Sequence, residues 1–77
     1  MGFITSLEVY NRIKSDSSIL SYNVDVTYMD FMKRKFIDIS FINFRPIDKG
    51  GDIPFHRIYY FKYKGKIFWD REKNIMI

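Results

Sequence analysis

His56 and Arg57 are adjacent, and together they bring two side chains suited to phosphate chemistry to one point of the chain. An imidazole changes charge near neutral pH, so it can donate to a phosphate as a cation or move a proton. A guanidinium can grip two phosphate oxygens with parallel hydrogen bonds. The pair follows Pro54-Phe55 and lies after the Gly50-Gly51 loop, in the kind of connecting segment where ligand groups often sit. On spacing alone, a histidine that merely caps a strand is the favoured reading.

A second candidate group lies in the aromatic stretch that follows. If Lys64-Gly65 forms a two-residue turn, Tyr63 opposes Lys66, Phe61 opposes Phe68 and Tyr60 opposes Trp69. Directly opposed residues share a face. One face then carries Ile58, Tyr60, Lys62, Lys64, Ile67, Trp69 and Arg71. The other carries Tyr59, Phe61, Tyr63, Lys66, Phe68 and Asp70. The first face interleaves rings with three cations, an arrangement on which unpaired bases stack while cations hold phosphates; each stacked base is worth roughly 1–3 kcal/mol. The competing reading makes this the core side, with Tyr60 and Trp69 buried and the lysine and arginine stems reaching out to water. The sequence leaves open which face is buried.

Catalytic inventories are thin. Metal-free RNA cleavage commonly needs two proton-transfer groups, and the chain has one histidine. A second group would have to be a perturbed lysine, tyrosine or carboxylate. Asp25, Asp30, Asp38, Asp48, Asp52 and Asp70 are scattered, and Asp48 and Asp52, which flank the glycines, read as turn formers. No phosphate-binding glycine loop and no nucleophile elbow is present. Without cysteine, a disulfide framework and a cysteine or multi-histidine zinc site are excluded. The expectation is a binding module with no catalytic residue, no cofactor and no metal.

The elements that must position these groups are legible as one helix followed by strands. Thr5-Ser6-Leu7-Glu8 matches a capping box, with Thr5 as N-cap. Leu7, Tyr10 and Ile13, with Val9 beside them, form an apolar stripe, and Ser15 to Ser18 ends a helix of about ten residues. Tyr22 to Tyr28 alternates as a strand; Asp30 to Lys35 is a polar, basic turn; Ile37 to Phe41 is a second strand. The alternation slips at Phe41-Ile42, which predicts a bulge or bend there. Arg45 to Pro54 is a long loop. Ile58 to Lys64 and Lys66 to Arg71 are two further strands, and the tail from Glu72 is left open. The expected class is α+β, an N-terminal helix packed on a small, mainly antiparallel four-stranded sheet, as a single domain over residues 1–77.

Size and charge narrow the partner. In 77 residues, 19% aromatic side chains must replace the disulfides or metals that small domains often use. A net charge of +4 fits a polyanion partner, although surplus lysines also serve solubility. No apolar run approaches the ~20 residues of a membrane span, and no signal peptide is visible. A soluble, cytoplasmic protein is expected, with no membrane partner.

The stretch Ile53-Pro54-Phe55-His56-Arg57-Ile58, then Gly65 and Phe68-Trp69-Asp70-Arg71, resembles a family of small archaeal proteins whose domain also occurs in larger eukaryotic ones. It is described as an RNA cyclic-group end recognition domain. Val9 to Lys14 looks like that family's helix motif, and Tyr28-Met29-Asp30 looks like its middle motif. Two positions depart: Ser15 precedes Asp16 where the family continues into a tryptophan and an acid, and Phe31 follows Asp30 where an arginine is common. The resemblance implies recognition of RNA ends, including 2′,3′-cyclic phosphate termini, in RNA repair or processing. By motif match, His56, Arg57 and Arg71 would take the phosphate, with Arg12 adding charge from the helix. Trp69 or Tyr60 would stack a terminal base. Asp30 or Asp70 would orient an arginine or accept from a ribose hydroxyl. The expectation at stake is geometric: His56, Arg57 and Arg71 should converge on one solvent-open pocket. Two alternatives stay open, a small metal-independent enzyme acting on RNA ends with His56 as acid or base, and a protein-interaction domain whose partner docks on a sheet edge.

Overall fold

A computed structural model describes residues 4–72 and 75–76. Helix α1 spans Ser6–Ser15 and the strands are β1 Val24–Asp30, β2 Lys35–Ser40, β3 Ile58–Tyr63, β4 Lys66–Asp70 and β5 Ile75–Met76. They form one antiparallel sheet in the order β2-β1-β3-β4-β5. The α+β class and its N-terminal helix are as expected. The added strand, β5, lies in the tail that the sequence left open, of which residues 73, 74 and 77 lie outside the described residues.

Local chemistry explains the helix limits. The Thr5 hydroxyl accepts from the Glu8 amide at 3.2 Å and donates to the Glu8 carboxylate at 3.2 Å. That closes the helix start as a capping box does, with the carboxylate taking the hydroxyl rather than the amide of Thr5. The buried stripe is Ser6, Val9, Tyr10 and Ile13. Leu7, expected on that stripe, is 43% exposed. Ser6 takes its place because its hydroxyl is satisfied, donating to the Phe55 carbonyl at 2.8 Å.

The core lies between α1 and one face of the sheet. Val9, Tyr10 and Ile13 meet Val24, Val26, Ile58, Phe61 and Trp69 there. Tyr10 is ringed by Phe41, Phe44 and Phe55 with centroids 5.2, 5.8 and 5.2 Å away. These aromatic contacts give a 77-residue chain much of its buried area. The slip at Phe41-Ile42 is a short 3₁₀ turn, Phe41–Asn43, that carries Phe41 and Phe44 into this cluster. The long loop is closed on itself: Pro46 and Ile53 bridge in parallel, and the Gly51 amide donates to the Pro46 carbonyl at 3.0 Å.

The β3–β4 turn is the expected two-residue one, with Lys64 at φ 50° and Gly65 at φ 84°. Register departs from expectation two steps later. Lys62 pairs with Ile67, but Phe61 pairs with Trp69 and Tyr60 with Asp70, which leaves Phe68 as a bulge. The expected pairings of Phe61 with Phe68 and Tyr60 with Trp69 are therefore not formed. A second irregularity lies between β3 and β1, where Thr27 pairs with Tyr60 and Tyr28 with Ile58, so Tyr59 is the extra residue. Neither of the two expected hairpin faces exists intact. Ile58 and Trp69 go to the core, while Tyr60, Lys62 and Ile67 stay on the sheet face away from the helix.

No helix among the described residues is long and apolar enough to cross a membrane.

Candidate functional site

The 3₁₀ turn Phe55–Arg57 sits just before β3 and divides two clefts. On one side, His56 and Arg71 line an opening of about 450 Å³ together with Thr5, Ser6, Leu7, Phe55 and Trp69. This is within the range of small-ligand pockets, about 300–1,000 Å³. Its wall is the first turn of α1, whose free amides carry partial positive charge. Two contacts hold that wall in place. The Ser6 hydroxyl binds the Phe55 carbonyl, and the Trp69 indole Nε1 donates to the Ile4 carbonyl at 2.8 Å.

On the other side, Arg57 lines a smaller cleft of about 200 Å³ with Tyr28, Met29, Asp30, Met32, Asp52, Ile53 and Pro54. Its guanidinium carbon lies 4.6 Å from the centre of the Phe31 ring, and its Nε is buried without a hydrogen-bond partner. Burial, with help from Asp30 and Asp52, raises the Tyr28 hydroxyl above the usual tyrosine range. The expected convergence of three side chains is thus met by two. Successive residues in a tight turn point in different directions, so His56 and Arg57 serve different clefts.

The other sequence candidates fall in distinct places. Trp69 is 1% exposed, 5.7 Å from the Phe61 ring centre, so it offers no open face to a base. Its expected stacking role is corrected to a structural one. Tyr60 is half-buried on the open sheet face, next to Phe36, Lys62 and Ile67. Asp30 spends one carboxylate oxygen on the Met32 and Lys33 amides at 2.9 and 3.2 Å, shaping the β1–β2 turn. Asp70 likewise accepts from the Glu72 amide at 2.9 Å. Arg12 is in the last turn of α1, near Asp16, and is not among the residues lining the His56–Arg71 cleft.

Sequence reasoning missed Thr5, Ser6 and Leu7 as a cleft wall. The capping box located the helix start, but its approach to Phe55 is purely tertiary. It also missed Tyr59 and Phe36. The Arg71 guanidinium lies 5.3 Å from the Tyr59 ring centre, and Tyr59 lies 5.1 Å from Phe36. Phe36 shares its phase with Asp38 rather than with Ile37, which was a readable sign that it faces away from the core.

A family model, the MJ1316 RNA cyclic group end recognition domain, matches residues 3–71. The chain belongs to this family. No curated protein and no solved structure matches the chain. The family's description makes RNA-end recognition the coarse function and RNA the partner class. The matched span takes in both walls of the His56–Arg71 cleft. Among the described residues there is no cluster of three or more metal-ligating side chains.

Proposed function

We propose that this MJ1316-family domain binds the 3′ end of RNA and prefers a 2′,3′-cyclic phosphate, held by His56 and Arg71. The observation that carries this reading is that two side chains from opposite ends of the β3–β4 hairpin line one cleft at the positive end of α1. A cyclic phosphodiester is compact and carries one negative charge. One guanidinium fork, one imidazole and the helix start suit such an anion. Binding rather than turnover is supported by the lining set, in which His56 is the one imidazole and no carboxylate takes part. Tyr60 stacks a base close to the end, and Asp70, opposite Tyr60 in register, has one carboxylate oxygen for a ribose hydroxyl. Arg57 and Asp30 act from the neighbouring cleft, and Arg12 adds only long-range charge. Such a domain would serve RNA repair or processing, where cyclic ends arise when a 2′-hydroxyl attacks the adjacent phosphodiester and the 5′-oxygen of the next nucleotide leaves as a hydroxyl.

The test is a fluorescence-anisotropy titration with oligonucleotides that differ only in their 3′ end. The cyclic-phosphate form should bind tighter than the hydroxyl form, and Arg71→Ala should remove the difference. Equal affinity would defeat end recognition. Hydrolysis of the cyclic end that depends on His56 would favour the enzyme instead. No RNA binding even at low salt would favour a protein-interaction domain.

A further inference from the structure

The tip of the β1–β2 hairpin combines exposed apolar and charged side chains, among them Met32, the most exposed large hydrophobic of the described residues. Phe31, Met32 and Phe36 are 57%, 94% and 48% exposed. Between them stand Lys33, Arg34 and Lys35, three consecutive exposed cations. Among the described residues none of the three takes part in an ion pair.

The tip is nevertheless held from below. Asp30 binds two of its backbone amides, and the Arg57 guanidinium lies against Phe31. Arg34 takes a left-handed conformation, φ 55°, to close the turn. A turn braced in this way presents its cations and Met32 with less ordering cost on binding than a loose loop would. Large exposed apolar groups among cations are expensive to leave in water and mark an interaction surface.

The tip is also continuous with the proposed end site. Arg71 lines the cleft and lies over Tyr59, Tyr59 contacts Phe36, and Phe36 contacts Tyr60 with ring centres 6.1 Å apart. Phe36 directly follows Lys35. A row of rings therefore leads from the phosphate cleft to the basic tip across the open sheet face. We infer that the Phe31–Phe36 hairpin is a second RNA contact, binding the strand that precedes the recognised end. Its cations meet backbone phosphates, and Phe36 and Met32 meet bases. This rests on the end-recognition reading for direction along the strand, but the contact itself does not require any end preference.

The experiment compares a dinucleotide with a single-stranded oligonucleotide of about twelve nucleotides, each with hydroxyl and cyclic ends, at several salt concentrations. The Lys33→Gln/Arg34→Gln/Lys35→Gln variant should bind the dinucleotide as before and keep its end preference. For the longer RNA, the slope of log affinity against log salt should drop by about 2, up to a hundredfold at ~0.1 M salt, because each single-strand phosphate contact contributes about 0.7. Lys33→Gln/Lys35→Gln leaves the Arg34 turn intact and serves if the triple variant loses its circular-dichroism signature. Unchanged salt slope in a folded variant overturns the inference. So does loss of binding to anionic vesicles with RNA binding retained, which would make the tip a membrane contact. Equal binding of both ends by the wild-type protein would sink the end-recognition reading alone, since the length and salt effects are read on hydroxyl-ended RNA too.

Discussion

His56 and Arg71 should be energetically coupled, whereas His56 and Arg57, although adjacent in the chain, should not. The first pair lines one cleft and would share one anion; the second is split between two clefts. A hydrogen bond to a charged group contributes roughly 1.5–3 kcal/mol, so His56→Ala or Arg71→Ala alone should weaken cyclic-end binding by about tenfold to a hundred-and-fifty-fold. With Arg71 gone, the phosphate is held loosely, and removing His56 then costs less. The double variant should therefore fall short of the sum by about 0.5–3 kcal/mol, the usual range for residues sharing a partner. For His56 with Arg57 the deviation should stay within about 0.5 kcal/mol, as for sites without a shared partner. The assay is anisotropy titration of the wild type, three single variants and two double variants, each against cyclic and hydroxyl ends, with circular dichroism confirming the fold. If His56–Arg57 coupling exceeds His56–Arg71 coupling, or if both pairs are additive, the assignment of the cleft is wrong.

Three further outcomes follow from particular contacts. At Gly51 an added Cβ would lie 1.8 Å from the Arg45 carbonyl oxygen, whereas at Gly50, φ 86°, nothing lies within 4 Å. In urea denaturation Gly51→Ala should abolish or severely weaken folding, and Gly50→Ala should cost only about 1–2 kcal/mol, the left-handed penalty. Trp69→Phe loses the bond to the Ile4 carbonyl and should lower stability by about 1–3 kcal/mol and weaken the preference for a cyclic end, because that bond holds the helix start at the cleft, while affinity for hydroxyl-ended RNA stays unchanged; a drop of the size of a stacked base with hydroxyl-ended RNA would restore Trp69 to the interface. The Asp38 carboxyl is held below its usual range chiefly by the Thr27 hydroxyl at 2.5 Å and then by Lys62 at 3.2 Å. A depressed folded pKa gives stability that is present above the unfolded value near ~3.9 and lost as pH falls through the lower folded value. The Asp38→Asn profile should lack that acid-side component, which is modest, under about 1 kcal/mol, because the side chain is more than half exposed.

Much of the fold was legible because it is written in local patterns. The capping box, the alternation of Val24, Val26 and Tyr28, and the Lys64-Gly65 turn each depend on near neighbours. The site was legible in part. His56 and Arg71 come from segments that resemble family motifs, but their meeting with Thr5 to Leu7 depends on how α1 lies on the sheet. The separation of His56 from Arg57 depends on a three-residue 3₁₀ turn that leaves no periodic trace. Phe41 and Phe44 reach the core through another such turn, which the slip in alternation announced without saying what form it takes.

The two errors in the hairpin faces have one physical origin, and it bears on the site. A period-two pattern assigns faces correctly only while no residue is added to either strand. Phe68 is added to β4, so Trp69 moves to the face of Phe61 and its Nε1 reaches the Ile4 carbonyl. Had the register continued without it, the indole would lie beside Tyr60 on the open face, and the chain just before α1 would lose its anchor. That anchor and the Ser6–Phe55 bond are what place the first helical turn against His56 and Arg71. Tyr59, the extra residue against β1, leaves two neighbouring tyrosines able to contact Phe36, and it supplies the ring over which Arg71 lies. The bulges that defeat face assignment from the sequence thus carry the tryptophan inward and the tyrosine outward. On this account Trp69 belongs to the recognition motif because it positions the cleft, and its removal should disorder the end site before any stacking contact is considered.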